Sequence, residues 1–381
     1  MPKTVRIPIT NVYMGGDYTG RILVGPHNQG MNVILDTGSS ALALDGSKYR
    51  PDIAAGDKTT RLAQTDRYGD GSVGWTGAVL STKVSVGSEA GQVTLSTANV
   101  AVAYEETPDM FDSADGILGL AYAPLDDAYR MPHDTWTHKY SGIEVSHGER
   151  GEIQPYLTQL SGEDIVSDIV SFYTKRSFIH AGHGDPVNDP LNQGWMILGG
   201  GEEATDLYTG AFQTAKVLAD AWYNTNLKAV IVGDASPIAV PSHGPNGMPS
   251  NSIVDSGTNS LNIGPHLLKA IVAKFTPTQQ AFLNASIFGQ SYVSASQLNL
   301  GAWPDITFVL QGDTGDIRLR VAASDYWQIN AEKVGEAAAA LTPGEEGLAI
   351  LGLPLMNGYF TIFDGEADGG RGVIKFASSK R

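Results

Sequence analysis

The 381-residue chain contains no cysteine. That one absence removes disulfides, thiol nucleophiles and thiolate metal sites together, and it sets the chain apart from small secreted folds held by cross-links. Long apolar runs are missing as well. No stretch approaches the roughly 20 residues that a membrane-crossing helix needs, so no membrane association is expected. The first six residues lead straight into alternating, strand-like sequence. No basic segment followed by an apolar one stands there, so no signal peptide is expected. Basic residues are few, 25 Lys and Arg against 41 Asp and Glu, and the formal net charge is −16. Counterion release at a phosphate backbone needs clustered cations, which argues against nucleic acid as a partner. The pI of about 4.8 suits work at low pH, and equally an ordinary cytoplasmic protein.

What is present suggests two lobes. The chain is long enough for two cores, and its 45 Gly and 19 Pro point to many short strands joined by turns. Internal repetition supports this. Met31-Asn32-Val33-Ile34-Leu35 runs into Asp36-Thr37-Gly38-Ser39, and Asn251-Ser252-Ile253-Val254 runs into Asp255-Ser256-Gly257-Thr258. Downstream of the first lies Ala114-Asp115-Gly116-Ile117-Leu118-Gly119-Leu120, and downstream of the second Ala349-Ile350-Leu351-Gly352-Leu353. Two paired elements in one order predict duplicated lobes, residues 1–200 and 201–381.

Period-two runs such as Lys83-Val84-Ser85-Val86 and Ile306-Thr307-Phe308-Val309 read as strands. Helices are expected from about residue 155 to 160, over 265–275, and over the Ala-rich 332–341. Residues 125–190 read as an irregular surface insertion, apart from a strand over 165–173. The class is mostly β with small helices.

Asp followed by a hydroxyl residue and Gly, twice, has a chemical use. Two carboxyls held side by side cannot both ionise cheaply, so they share a proton. The ionised member can then take a proton from water while the protonated one polarises a carbonyl. Glycine lets backbone approach the pair closely. Taken alone, each motif could equally be an Asp-containing turn after a strand.

Over nearly its whole length the chain resembles the pepsin-like aspartic proteases. The resemblance rests on both Asp loops, on Asp115-Gly116-Ile117-Leu118-Gly119-Leu120-Ala121-Tyr122 and Ile350-Leu351-Gly352, and on Trp195-Met196-Ile197-Leu198-Gly199-Gly200 and Tyr359-Phe360-Thr361-Ile362-Phe363-Asp364, in that family's order. It implies a bilobal fold with a cleft between the lobes, and an aspartic endopeptidase with Asp36 and Asp255 as catalytic residues. Thr37 and Ser256 would brace the two loops, Gly38 and Gly257 would let backbone approach the carboxyls, and Ser39 and Thr258 would bond their outer oxygens. Tyr68 resembles the tyrosine of the flap, a hairpin closing over bound peptide, with Gly69 and Asp70 offering hydrogen bonds to the substrate. The rival for Tyr68 is an ordinary half-buried strand tyrosine. Ile34, Phe111, Leu120 and Ile350 are candidate apolar subsite walls, which predicts a preference for hydrophobic side chains at the cut. The expected partners are an extended peptide or protein substrate and statine-type peptide inhibitors, and the expected state is a monomer.

Three departures from the family stand out. Ala43 occupies the position where the secreted enzymes usually carry a tryptophan that bonds the flap tyrosine, so Tyr68 needs another support, for which Trp75 is a candidate. No prosegment is expected before the first strands, and the usual disulfides are absent. These features resemble the bacterial pepsin homologues and suggest a cytoplasmic or periplasmic location. No cofactor or metal is expected. Gly69-Asp70-Gly71-Ser72-Val73-Gly74 matches a dinucleotide fingerprint in spacing, but strand-like sequence follows it where a helix is required. His133, His138, His147, His180 and His183 lack zinc-ligand spacing and read as surface-loop residues. Asn284-Ala285-Ser286 is a glycosylation sequon with no secretory signal to give it weight. The alternative from another class is a non-catalytic binding or inhibitor protein on the same fold.

Overall fold

Alternation governs the first strand: Val5, Ile7 and Ile9 are buried while Arg6 and Pro8 face out, as period two requires. The computed structural model describes residues 2–69, 71–88, 91–182, 184–245 and 247–380. β1 (Val5–Met14), β2 (Asp17–Val24) and β3 (Gln29–Asp36) form an antiparallel meander that delivers Asp36 at its end. β4 (Leu42–Asp45), the long hairpin β5 (Lys58–Tyr68) and β6 (Val73–Val86), then β7 (Val93–Glu106) and β8 (Gly116–Gly119) follow.

β8 inserts between β3 and β4. It runs parallel to β3, with Asp36 opposite Gly119, and antiparallel to β4. The second half repeats the arrangement: Ala349–Leu351 lies parallel to Ser252–Val254 and antiparallel to Leu261–Ile263. The repeated Ile-Leu-Gly run now has a physical reason. A side chain at Gly119 would overlap the Ser40 backbone, and one at Gly352 would overlap the Thr258 carbonyl. Each glycine thus lets the inserted strand cross close to the chain leaving its Asp loop.

β9 (Asp127–Arg130) and β10 (Glu149–Glu152) come next, then β11 (Ile169–Tyr173), β12 (Gln193–Leu198) and β13 (Tyr208–Lys216). The halves are joined by continuous pairing in the order β1, β12, β11, Tyr359–Asp364, Val373–Ser379, β13. Tyr173 is opposite Phe360, and Ile169 is opposite Asp364. The second half adds a five-, a four- and a three-stranded sheet. This is the mostly-β, bilobal architecture expected.

Two expectations need correction. The early part of residues 125–190 is not irregular: it carries β9, β10 and α1 (Gly142–Ser146), ahead of the expected helix, α2 (Tyr156–Gly162), and β11. β9 and β10 are only four residues each, too short for alternation to show. The Ala-rich 332–341 forms strands Glu336–Ala339 and Leu341–Pro343 instead of a helix. Alanine's helix preference is worth only tenths of a kcal/mol per residue, and here Ala337, Ala338 and Ala339 pair with Ile329, Gln328 and Trp327. Helices do form at 155–160 (within α2) and at α3 (Pro265–Val272). α4 (Pro277–Ile287) was not anticipated. Its signal is Thr276 with Gln279, a capping box, and Pro277 in the first turn. No helix among the described residues is long and apolar enough to cross a membrane.

Gly119→Ala and Gly352→Ala are therefore expected to destabilise the fold by about 3 kcal/mol or more, because backbone and not a flexible side chain must move. Urea denaturation monitored by fluorescence measures this.

Candidate active site

Asp36 ends β3 and Asp255 directly follows the strand Ser252–Val254 of the other half, yet their loops meet in a reciprocal set of hydrogen bonds. The Thr37 amide donates to Ser256 Oγ at 3.0 Å, and the Ser256 amide donates to Thr37 Oγ1 at 2.9 Å. Each hydroxyl then donates onward, Thr37 Oγ1 to the Val254 carbonyl at 3.3 Å and Ser256 Oγ to the Leu35 carbonyl at 2.7 Å. Both side chains are buried, so the four bonds operate where an unmade one is costly.

Each carboxyl is held the same way. Asp36 Oδ1 accepts from the Gly38 amide at 2.7 Å and Oδ2 from Ser39 Oγ at 2.5 Å. Asp255 Oδ1 accepts from the Gly257 amide at 2.9 Å and Oδ2 from Thr258 Oγ1 at 2.6 Å. The glycines cross over. A side chain at Gly38 would come within 2.8 Å of the Asp255 oxygens, and one at Gly257 would overlap Asp36. Each carboxyl thus lies over the other loop's glycine, and the two are hydrogen-bonded to each other. Burial pushes the Asp36 carboxyl well above the usual range, and the Asp255 charge adds to the rise, while the Ser39 and Gly38 bonds oppose it.

A third carboxyl stands beside them. Asp17 opens β2 after the Gly15-Gly16 turn, and that turn is tied to the second Asp loop by Asn259 Nδ2 donating to the Gly15 carbonyl at 3.2 Å. One Asp17 oxygen is buried with no hydrogen-bond partner. Its carboxyl is pushed well up, first by burial and then by the Asp255 and Asp36 charges. The sequence reading missed it because an aspartate after two glycines looks like an ordinary turn residue.

Tyr68 ends β5 and packs on a cluster that includes Ile34, Ala43, Trp75, Met110, Phe111 and Ile117. Trp75 Nε1 donates to the Tyr68 hydroxyl at 3.2 Å, and Tyr68 also bonds Ser39. Ala43 and Trp75 are both fully buried in this cluster. The small side chain at Ala43 leaves room that an indole arriving from β6 fills. Burial, then the Asp66 and Asp36 charges, pushes the Tyr68 phenol well up, so it stays neutral. A hydrogen-bonded chain thus runs from Trp75 through Tyr68 and Ser39 to Asp36.

The remaining predicted residues divide. Ile34 and Phe111 lie in the cluster beneath Tyr68, and Ile350 is half-buried on the strand beside Asp255's own. Leu120 instead packs in the main core. Gly69 begins the turn between β5 and β6, and Asp70 lies outside the described residues. Among the described residues no three His, Asp or Glu side chains converge as a metal site would need. Of the histidines, His180 Nδ1 is 2.6 Å from Asp189 Oδ2, and His183 lies outside the described residues.

Ser256→Ala removes an acceptor from the buried Thr37 amide. It should cost about 1–3 kcal/mol while leaving secondary structure intact, as measured by chemical denaturation with circular dichroism.

The sequence profile described as Eukaryotic aspartyl protease matches residues 17–371. The chain is 27% identical over 375 residues to Pepsin A of Sus scrofa, covering 94% of this chain and 80% of that protein. It is 24% identical to Pepsin II-2/3 of Oryctolagus cuniculus, with 92% and 79% covered. It is likewise 24% identical to Vacuolar protease A of Neurospora crassa, with 98% and 81% covered. With matched Asp loops, each following a strand that pairs with an inserted one, and a family profile spanning almost the whole chain, this protein belongs to the pepsin-like aspartyl protease family.

Proposed function

We propose that the protein is an aspartic endopeptidase in which Asp36 and Asp255 act together on a water molecule. The observation that carries the reading is the pairing itself: two buried carboxyls, each held by one amide and one hydroxyl, on loops locked by the Thr37–Ser256 bonds. The pair holds one proton between its members, because both ionising at this separation is unfavourable. The ionised member takes a proton from water as the oxygen attacks the scissile carbonyl carbon. The protonated member gives its proton to the carbonyl oxygen. The resulting tetrahedral diol collapses as the pair's proton passes to the nitrogen, the C–N bond breaks, and a diol hydroxyl returns its proton to the pair. Peptide plus water has become acid plus amine, and no cofactor enters.

Substrate would lie extended under the β5–β6 hairpin, its main chain bonded by cleft and flap and its side chains read by pockets. Ile34 and Phe111, buried in the cluster on which Tyr68 packs, and Ile350, half-buried on the strand beside the one that leads to Asp255, support a preference for hydrophobic side chains at the cut. Leu120, buried in the main core, is not part of this proposal. A statine-type peptide mimic, whose hydroxyl imitates the diol, is expected to inhibit. Acidic pH is expected because the single-proton state is lost once the pair gives up its shared proton, and the rise at Asp36 carries that state to higher pH than an ordinary carboxyl would.

Asp36→Asn and Asp255→Asn should each lower cleavage of a peptide library by about 10²–10⁴-fold or more, read by mass spectrometry of the products. Full cleavage by either variant would sink the proposal. The same linkage predicts an opposite effect on stability. A carboxyl raised by folding contributes stability at low pH that is lost as pH rises through its folded value. Asp36→Asn is therefore expected to raise the melting temperature at neutral pH relative to wild type, and to change it least near pH 3.

A further inference from the structure

The part of the molecule that peptide hydrolysis least explains is the segment that widens the flap. β9 pairs with β5, Leu62 opposite Arg130 and Ala63 opposite Tyr129, and β10 pairs with β9 along its length. The β5–β6 hairpin is thereby extended to the order β10, β9, β5, β6. The seam continues beyond the strands. The Met131 amide donates to the Arg61 carbonyl at 2.8 Å, the Thr135 amide to Thr60 at 3.1 Å, and Thr135 Oγ1 to the Leu62 carbonyl at 2.7 Å. Ala63, Met131, Tyr140 and Val145 form an apolar cluster separate from the main core. The Tyr104 hydroxyl donates to the Tyr140 carbonyl at 2.7 Å and accepts from the Tyr140 amide at 3.1 Å. α1, closed by a Ser141–Glu144 capping box, packs on both β5 and β6.

An isolated hairpin lifts by bending at its base. Here that base is paired on its outer edge and has its own core. One bond in the seam differs from the rest. Asp126, just before β9, is buried and accepts from Gln64 Nε2 at 2.7 Å. Gln64 is also buried and sits on β5, the strand that ends in Tyr68. The charged groups facing Asp126 are Asp66 of β5 and Asp127 of β9, the latter ion-paired with Arg150 of β10. Among the described residues no cation pairs with Asp126 itself.

We infer that the segment 126–152 is a brace for the flap, and that Asp126 is a positioning residue bonded to β5 through Gln64, whose buried carboxyl fits the closed seam while neutral and loosens the brace when ionised, because the cost of an unpaired buried charge exceeds the gain in the Gln64 bond. Its bearing on catalysis rests on the endopeptidase reading, since the hairpin it steadies is the one over the carboxyl pair. Burial pushes the Asp126 carboxyl up to about 7, with Asp66 and Asp127 adding to the rise and the Gln64 bond opposing it. In a loosened state the group would be hydrated and titrate near its ordinary ~3.9. The sign follows: bracing is complete at low pH and is lost as pH rises through about 7.

Hydrogen exchange on the full chain tests this, with protection corrected for the intrinsic pH dependence of exchange. Wild-type amides of β5, β6 and β9 should lose protection by about tenfold or more between about pH 5 and pH 7.5. The platform strands Val373–Ser379 and β13 should not. In Asp126→Asn the side-chain oxygen still accepts from Gln64 but cannot ionise, so flap protection should stay at its low-pH level. With a peptide substrate, the variant should keep KM at its acid value to higher pH, with kcat unchanged at about pH 4. A flat wild-type flap profile overturns the inference without any variant, and so does an equal loss in wild type and Asp126→Asn. Absence of peptide cleavage beside the expected exchange pattern would sink the endopeptidase reading and leave the brace standing.

Discussion

Two amides and two hydroxyls, those of Thr37 and Ser256, exchange hydrogen bonds in the interior, and each hydroxyl passes a further bond to the other half's backbone. Water cannot replace these partners at buried positions, so the loops have one low-energy relation to each other. The consequence is geometric. The separation of Asp36 and Asp255 is set by main chain, not by freely rotating side chains. Gly38 and Gly257 are needed because each lies beneath the carboxyl from across the interface. From Asp36 the same network climbs through Ser39 and Tyr68 to Trp75, tying the flap to the site it would cover.

The buried carboxyls share one direction of shift, while exposed ones such as Asp52, Asp206 and Glu346 are lowered by their hydrogen-bond partners. Asp17, Asp36, Asp66 and Asp126 all have carboxyls pushed up, burial being the first cause in each. Asp168, beside Glu366 and Asp364, is pushed up to about 6 by burial and those charges. Each such group favours the folded state more at low pH than at neutral pH. The net charge of −16 works the same way, since protonation relieves self-repulsion.

Much of this was legible in the sequence because it is repeated. The two Asp loops and the two Ile-Leu-Gly runs mark the same positions in both halves, and the inserted strands confirm that pairing. Trp75 could be named as the support for Tyr68 because the residue normally doing that work is replaced by Ala43. What was not legible lacks a local signal. β9 and β10 are too short for period two to show, and their existence depends on the open edge of β5. The alanines at 337–339 follow their helix preference until a strand with Trp327 and Ile329 offers more. Asp17 is unremarkable in sequence, and its significance comes only from its position beside two other carboxyls.

The proposed reaction requires Asp36 and Asp255 to work as one unit sharing a single proton. The pH dependence of kcat/KM for a peptide substrate addresses it most directly. A coupled pair should give a bell with an acid limb and an alkaline limb, because activity needs one member ionised and the other protonated. A profile with a single limb from about pH 2 to pH 8, or one whose shape survives Asp255→Asn, would contradict it.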